Sequence, residues 1–199
     1  MQSIINYNNS STVRLLLDYG EDPSVILPNG DCALKLACFH SRVSDVEALC
    51  EKLDEVDIPV EMRYPSAVHW ICSSKSSQIA EIVLKKGIDV NRLDGYGRQG
   101  PFYLLDTGDE AEALLILDLL LDNGYEIDLK SSGEVQTTML GEFVCAIQKE
   151  MRVIEWFLLH GANIHEDVYG KEIVDVVKEM GDNEMIEMFG RYHPDEFCE

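Results

Sequence analysis

Ile82-Val83-Leu84-Lys85-Lys86-Gly87-Ile88-Asp89-Val90-Asn91 is an apolar helical run closed by a glycine, with an acidic residue two positions on. The same phrase returns three times. It reads Leu15-Leu16-Leu17-Asp18-Tyr19-Gly20-Glu21-Asp22, then Leu119-Leu120-Leu121-Asp122-Asn123-Gly124 ahead of Asp128, then Trp156-Phe157-Leu158-Leu159-His160-Gly161-Ala162-Asn163. Gly87 to Gly124 is 37 residues and Gly124 to Gly161 is 37 again. Gly20 to Gly87 is 67 residues, room for two units, with Leu53 at the intervening glycine position. A period in this range marks a stacked repeat array, in which each unit buries its apolar face only against its neighbours.

Working outward from Gly87, one unit divides into parts. Ala67 to Cys72 is a first short helical pattern, Ser76-Ser77-Gln78 a polar break, and Ile79 to Lys86 a second helix with apolar residues at helical spacing. Gly87 fits the left-handed position that ends helices. The stretch from Asp89 to Gly97 is turn-rich, through Asp94-Gly95 and Tyr96-Gly97.

These residues carry a family resemblance. Ser66-Ala67-Val68-His69, then Ile82-Val83-Leu84 and Gly87-Ile88-Asp89-Val90-Asn91, resembles the ankyrin repeat, whose first helix opens on Thr-Pro-Leu-His and whose second ends in Gly-Ala-Asp-Val-Asn. Gly100-Pro101-Phe102-Tyr103 with Leu119 to Gly124 is a second match. Asn29 to Leu34 with Val43 to Leu53 is a third, and Thr138-Met139-Leu140-Gly141 with Ile154 to Asn163 a fourth. The resemblance implies an all-α ankyrin-repeat solenoid of stacked helix-turn-helix units with projecting hairpin loops. One domain is expected over residues 1–199, with units at about 1–28, 29–61, 62–94, 95–131, 132–168 and 169–199.

Departures from the pattern carry expectations of their own. Lys35, His69, Tyr103 and Gly141 stand where the family has histidine. From them to the next glycine position is 18, 18, 21 and 20 residues, so the last two units carry insertions between their helices, around Thr107-Gly108-Asp109-Glu110 and Gln148-Lys149-Glu150. Leu53 in place of the glycine demands another turn geometry. Because the first unit lacks a clear hairpin, residue 1 is not expected to be the native start of the domain. At the other end, Met185, Met188 and Phe189 form an apolar edge through which a self-associating array would pair.

Composition limits the function classes. With 46% hydrophobic residues the chain can bury a core. Thirty-seven acidic against 16 basic residues give a formal charge of −21. That field repels nucleic-acid phosphates and anionic lipid, and attracts basic partners. The most apolar run, Ala113 to Leu121, is broken by Asp118 and is too short to span a bilayer. The opening Met1 to Asn9 has neither the basic start nor the apolar stretch of a secretory signal. Six cysteines with no C-x-x-C pair imply reduced thiols and an intracellular chain, cytoplasmic or nuclear.

Candidate chemistry reduces to structure. His69 lacks a positioned carboxylate or nucleophile, and the resemblance makes its ring a link between helix start and adjacent turn. His160 and His165 lack further ligands at metal spacing. The carboxylates from Asp106 to Glu112 do not alternate as a calcium loop requires. Gly95, Gly97 and Gly100 fall between helical repeats and not after a strand, so they are turn glycines. No enzyme, cofactor or metal is expected.

The expected role is a monomeric scaffold that binds a basic protein partner through hairpin tips and a concave groove. The alternative is a targeting or autoinhibitory segment of a larger multidomain enzyme. The tip residues Tyr64, Tyr96, Arg98, Glu134, Tyr169 and Lys171 are the candidate contacts, since Tyr and Arg anchor interfaces. Trp70 is expected to pack between first helices, with its indole edge the one further candidate for the groove.

Overall fold

The computed structural model describes residues 10–58, 64–105, 108–132 and 136–197. Two rows of helices run side by side. The first-helix row comprises α2 (Ala33–Phe39), α4 (Ala67–Ser74), the 3-10 helix η1 (Gly100–Leu104), α7 (Met139–Cys145) and α9 (Ile173–Met180). The second-helix row comprises α1 (Ser10–Asp18), α3 (Val43–Lys52), α5 (Ser77–Leu84), α6 (Glu110–Asp122), α8 (Met151–Leu159) and α10 (Asn183–Tyr192). Each row packs helix on successive helix, and the pairs α2–α3, α4–α5, α7–α8 and α9–α10 pack within their units. The fold is thus the expected solenoid of stacked helix-turn-helix units.

Local sequence sets the boundaries. Side chains of Ser76, Asp109, Thr138 and Asp182 accept backbone N–H bonds at the starts of α5, α6, α7 and α10. Gly87 closes its unit with φ +70°, in the left-handed region. Leu53 takes the other geometry required of it, extended at φ −90° and ψ 128°. The core runs the length of the stack between the rows, with Leu34, Leu49, Ile71, Ile79, Ile116, Leu120, Phe143, Phe157 and Phe189 fully buried. Cys32, Cys38, Cys50 and Cys72 lie in it as free thiols, while Cys198 lies outside the described residues.

Two expectations change, and the expected projecting hairpin is made specific in one unit. Gly100 to Tyr103 opens a five-residue 3-10 helix and not an α-helix. Tyr103 replaces the family's histidine, and its hydroxyl donates to Asp94 Oδ2 at 2.7 Å, tethering the segment to the preceding turn. Met185, Met188 and Phe189 are buried and form no free edge. A short helix, α11 (Pro194–Phe197), covers them, with the Phe197 ring 5.7 Å from that of Phe189. Finally, the loop after Ile164 is a true two-stranded hairpin, β1 (Asp167–Val168) antiparallel to β2 (Lys171–Glu172). A Cβ at Gly141 would stand 2.6 Å from Thr137 Oγ1 and 3.1 Å from the Val168 side chain of this hairpin. Those two contacts together account for glycine at the fourth histidine position.

His69 is wholly buried and joins two units, as the resemblance implied. Its Nδ1 accepts from Ser66 N at 3.0 Å, which leaves Nε2–H to donate to Arg98 O at 3.0 Å. Burial depresses its pKa below the ordinary value, so the folded ring stays neutral while the unfolded chain takes up a proton. Stability from His69 is therefore complete above about pH 6.5 and falls as pH drops toward the folded pKa, by at most about 1.4 kcal/mol per unit. Denaturant unfolding of the natural chain and His69→Gln, at pH values spanning that window, should show the acid-side loss only in the natural chain. The opposite contribution of His165, whose pKa Glu172 raises, is common to both chains and cancels in the comparison. Identical pH profiles would contradict the assignment.

Candidate functional site

The hairpin after Asn91 is built on Asp94. Asp94 N donates to Arg98 O at 2.9 Å, and the Asp94 carboxylate accepts from Tyr96 N at 2.8 Å and Arg98 N at 2.9 Å. This closed turn projects Tyr96, which is 76% exposed. The Arg98 guanidinium lies over two rings, 5.0 Å from the Tyr96 centroid and 4.7 Å from that of Phe102 in η1. The next hairpin docks directly on this one, with Ser132 N donating to Gly97 O at 2.9 Å.

One unit further, the tip between β1 and β2 places both Tyr169 and Gly170 at positive φ, 53° and 87°. That is the geometry of a tight two-residue hairpin turn, normally filled by Asn-Gly or Gly-Gly. Tyr169 is 61% exposed, and its hydroxyl donates to Glu142 at 3.5 Å. A tyrosine held in a region that disfavours side chains, at an exposed tip, is the kind of strain that accompanies functional positions.

These tips enclose one cavity of about 280 Å3. Its walls include Tyr96, Arg98, Phe102, Met139, Glu142 and Tyr169. Glu142 is half-buried on the first turn of α7, and burial holds its carboxyl above the ordinary value despite the Tyr169 hydroxyl and the Arg98 charge. Aromatic faces, one cation and one desolvated anion therefore meet in one depression.

The seven candidate contacts separate. Tyr96, Arg98 and Tyr169 converge on the cavity. Tyr64 packs inward instead: its ring lies across Gly30 and its hydroxyl donates to Pro28 O at 2.9 Å. Lys171 pairs with Glu179. Trp70 is 3% exposed, enclosed in the first-helix row and not on the groove surface. Glu134 lies outside the described residues. Phe102 and Glu142 are additions. Both sit on the first-helix row beside Tyr103 and Gly141, so the concave side of those helices was the signal that could have found them.

The remaining sequence candidates take structural positions. His160 stacks on Trp156 with centroids 4.2 Å apart. His165 sits between Glu172 and Glu196. Glu112 accepts from Ser77 N at 2.7 Å and Glu110 from Arg152 N at 3.2 Å, so acidic side chains at the start of α6 serve the starts of the flanking second helices. Among the described residues, no group of three or more His, Cys, Asp or Glu is placed to hold a metal, and no helix is long and apolar enough to cross a membrane.

A family model described as ankyrin repeats, in three copies, matches residues 1–94. An ankyrin repeat protein of Acanthamoeba polyphaga mimivirus is 27% identical over 124 residues, 61% of this chain and 12% of that protein. The B-cell lymphoma 3 protein homolog of Mus musculus is 27% identical over 119 residues, 58% of this chain and 26% of that protein. The chain thus spans about an eighth and a quarter of the lengths of these two relatives. Among solved structures, the ankyrin repeat protein EF0377 superposes with a TM-score of 0.78 at 18% identity, over 96% of each chain.

Proposed function

We propose that this chain, which has the ankyrin-repeat fold and matches the ankyrin-repeat family model over residues 1–94, is a binding scaffold for a partner protein carrying a basic segment, since that fold generally mediates protein–protein interaction. The observation that carries this reading is the convergence of Tyr96, Arg98 and Tyr169 on one cavity beside Glu142. Tyrosine and arginine are the residue types that dominate interface energies. The stacked units fix these tips before a partner arrives, which reduces the ordering entropy of association. A formal charge of −21 supports a basic partner, with fast encounter and strong salt dependence. The chain itself is assigned no catalytic step.

Affinity capture from lysate of the source cell tests this reading. The bait is the natural chain, compared with Tyr96→Ala/Arg98→Glu/Tyr169→Ala at low and high salt. All three side chains are at the rim, so the fold should persist. With each anchor worth about 2 kcal/mol, the triple variant should lose at least a hundredfold in affinity, and salt should weaken the natural complex. Equal retention by both chains would place the interface elsewhere.

A further inference from the structure

Glu142 is a half-buried carboxylate on the first turn of α7, facing the cavity that the tips enclose. Its protein partner is a single phenol, Tyr169, at 3.5 Å. Among the described residues no cation lies within ion-pair distance of it. The other charged wall of the cavity, Arg98, is taken up by the ring faces of Tyr96 and Phe102. The volume of about 280 Å3 lies just below the roughly 300–1,000 Å3 of small-molecule sites, which favours one long side chain over a metabolite. The Arg98 charge acts on Glu142 from across the cavity but does not outweigh its burial, and the cost of a carboxylate taken partly out of water is offset further when a cation is brought into contact with it.

We infer that this cavity seats a single lysine or arginine side chain of the partner's basic segment, its charged end on the Glu142 carboxylate and its aliphatic stem against the Tyr169 ring. The inference rests on the binding reading above and narrows it to one contact. Arg98, stacked on its rings, forms the opposite wall and limits the seat to one cation. Long cationic side chains lay their methylenes along aromatic surface while the head stays with its counter-charge, as this geometry allows.

The probe is a set of short N-acetylated, C-amidated peptides alternating lysine or arginine with glycine, alongside equal-length glutamine–glycine and glutamate–glycine peptides. Affinity is measured by titration against the natural chain, Glu142→Gln and Glu184→Gln. Glu184 is exposed at the start of α10, so its replacement changes the net charge by the same amount away from the cavity. The expected result is about a tenfold loss for the basic peptides with Glu142→Gln and little change with Glu184→Gln. The glutamine peptides should bind weakly to all three chains. Thermal unfolding confirms that Glu142→Gln is folded. Equal small losses in both variants would assign the attraction to the overall field and overturn the seat, as would preference for the glutamate peptides or failure of the basic peptides to bind. Should Glu142→Gln bind normally while the triple tip variant loses its captured partner, the seat fails and the groove stands. Should neither matter, both fail.

Discussion

Gly97→Ala is expected to destabilise the array by about 3 kcal/mol and to separate the two hairpins that frame the cavity. Gly97 has φ +76°, where a side chain costs roughly 1–2 kcal/mol. The larger obstacle is steric. A Cβ would stand 1.9 Å from Ser132 O and 2.7 Å from its carbonyl carbon, both backbone atoms of the next hairpin. Relief requires moving that hairpin and losing the Ser132 N–H bond to Gly97 O, a strain comparable to the roughly 1–3 kcal/mol of overpacked sites. Gly87 is the internal control. It shares the positive φ, at +70°, but its Cβ would meet nothing within 4 Å, so Gly87→Ala should cost only the conformational part. Denaturant unfolding of the two variants measures the difference. Equal losses would mean that hairpin-to-hairpin contact contributes nothing to the stack.

Arg42→Met should cost about 3–5 kcal/mol, since it strands a buried charge. Asp45 is completely buried on the first turn of α3, and Arg42 Nε stands 2.7 Å from its Oδ2. Burial raises the Asp45 pKa and the Arg42 charge opposes that rise. Two comparisons identify the mechanism. Arg42→Met/Asp45→Leu removes both charges and should recover most of the loss, because a well-packed apolar pair often matches a buried ion pair. Acidification should also shrink the single variant's deficit. Without arginine the folded carboxyl titrates higher still than the unfolded one, so protonation favours the folded state as pH falls. A deficit unchanged by either treatment would assign the effect to lost arginine packing.

The period was legible because it is written in chain punctuation. Gly87, Gly124 and Gly161 hold positions that ordinary residues disfavour, so their spacing survives wherever the turn does. His69 was legible for a similar reason: one ring replaces several backbone partners. What could not be read was distance between units. The contact of Val168 with Gly141, the Tyr103 tether to Asp94 and the cover that Phe197 gives Phe189 depend on how far each unit rotates over its neighbour. No local pattern encodes that rotation. The same limit governs the candidate site. Periodicity gave the tips Tyr96, Arg98 and Tyr169, but not which tips share a cavity, nor that Tyr64 turns inward over Gly30. Trp70 packs between first helices, as its place in the first-helix pattern implied, and does not offer its indole edge to the groove, since a large aromatic ring serves a core as well as an interface.

The most direct test of the groove as the binding surface is position-specific photocrosslinking. A photoreactive phenylalanine analogue is placed at Tyr96 on the tip or at Leu115, which is 49% exposed on the second-helix row. Illumination in lysate should join a partner protein to the chain from position 96, more weakly at high salt, and not from position 115. Crosslinking from 115 alone would move the interface to the outer helices and contradict the account.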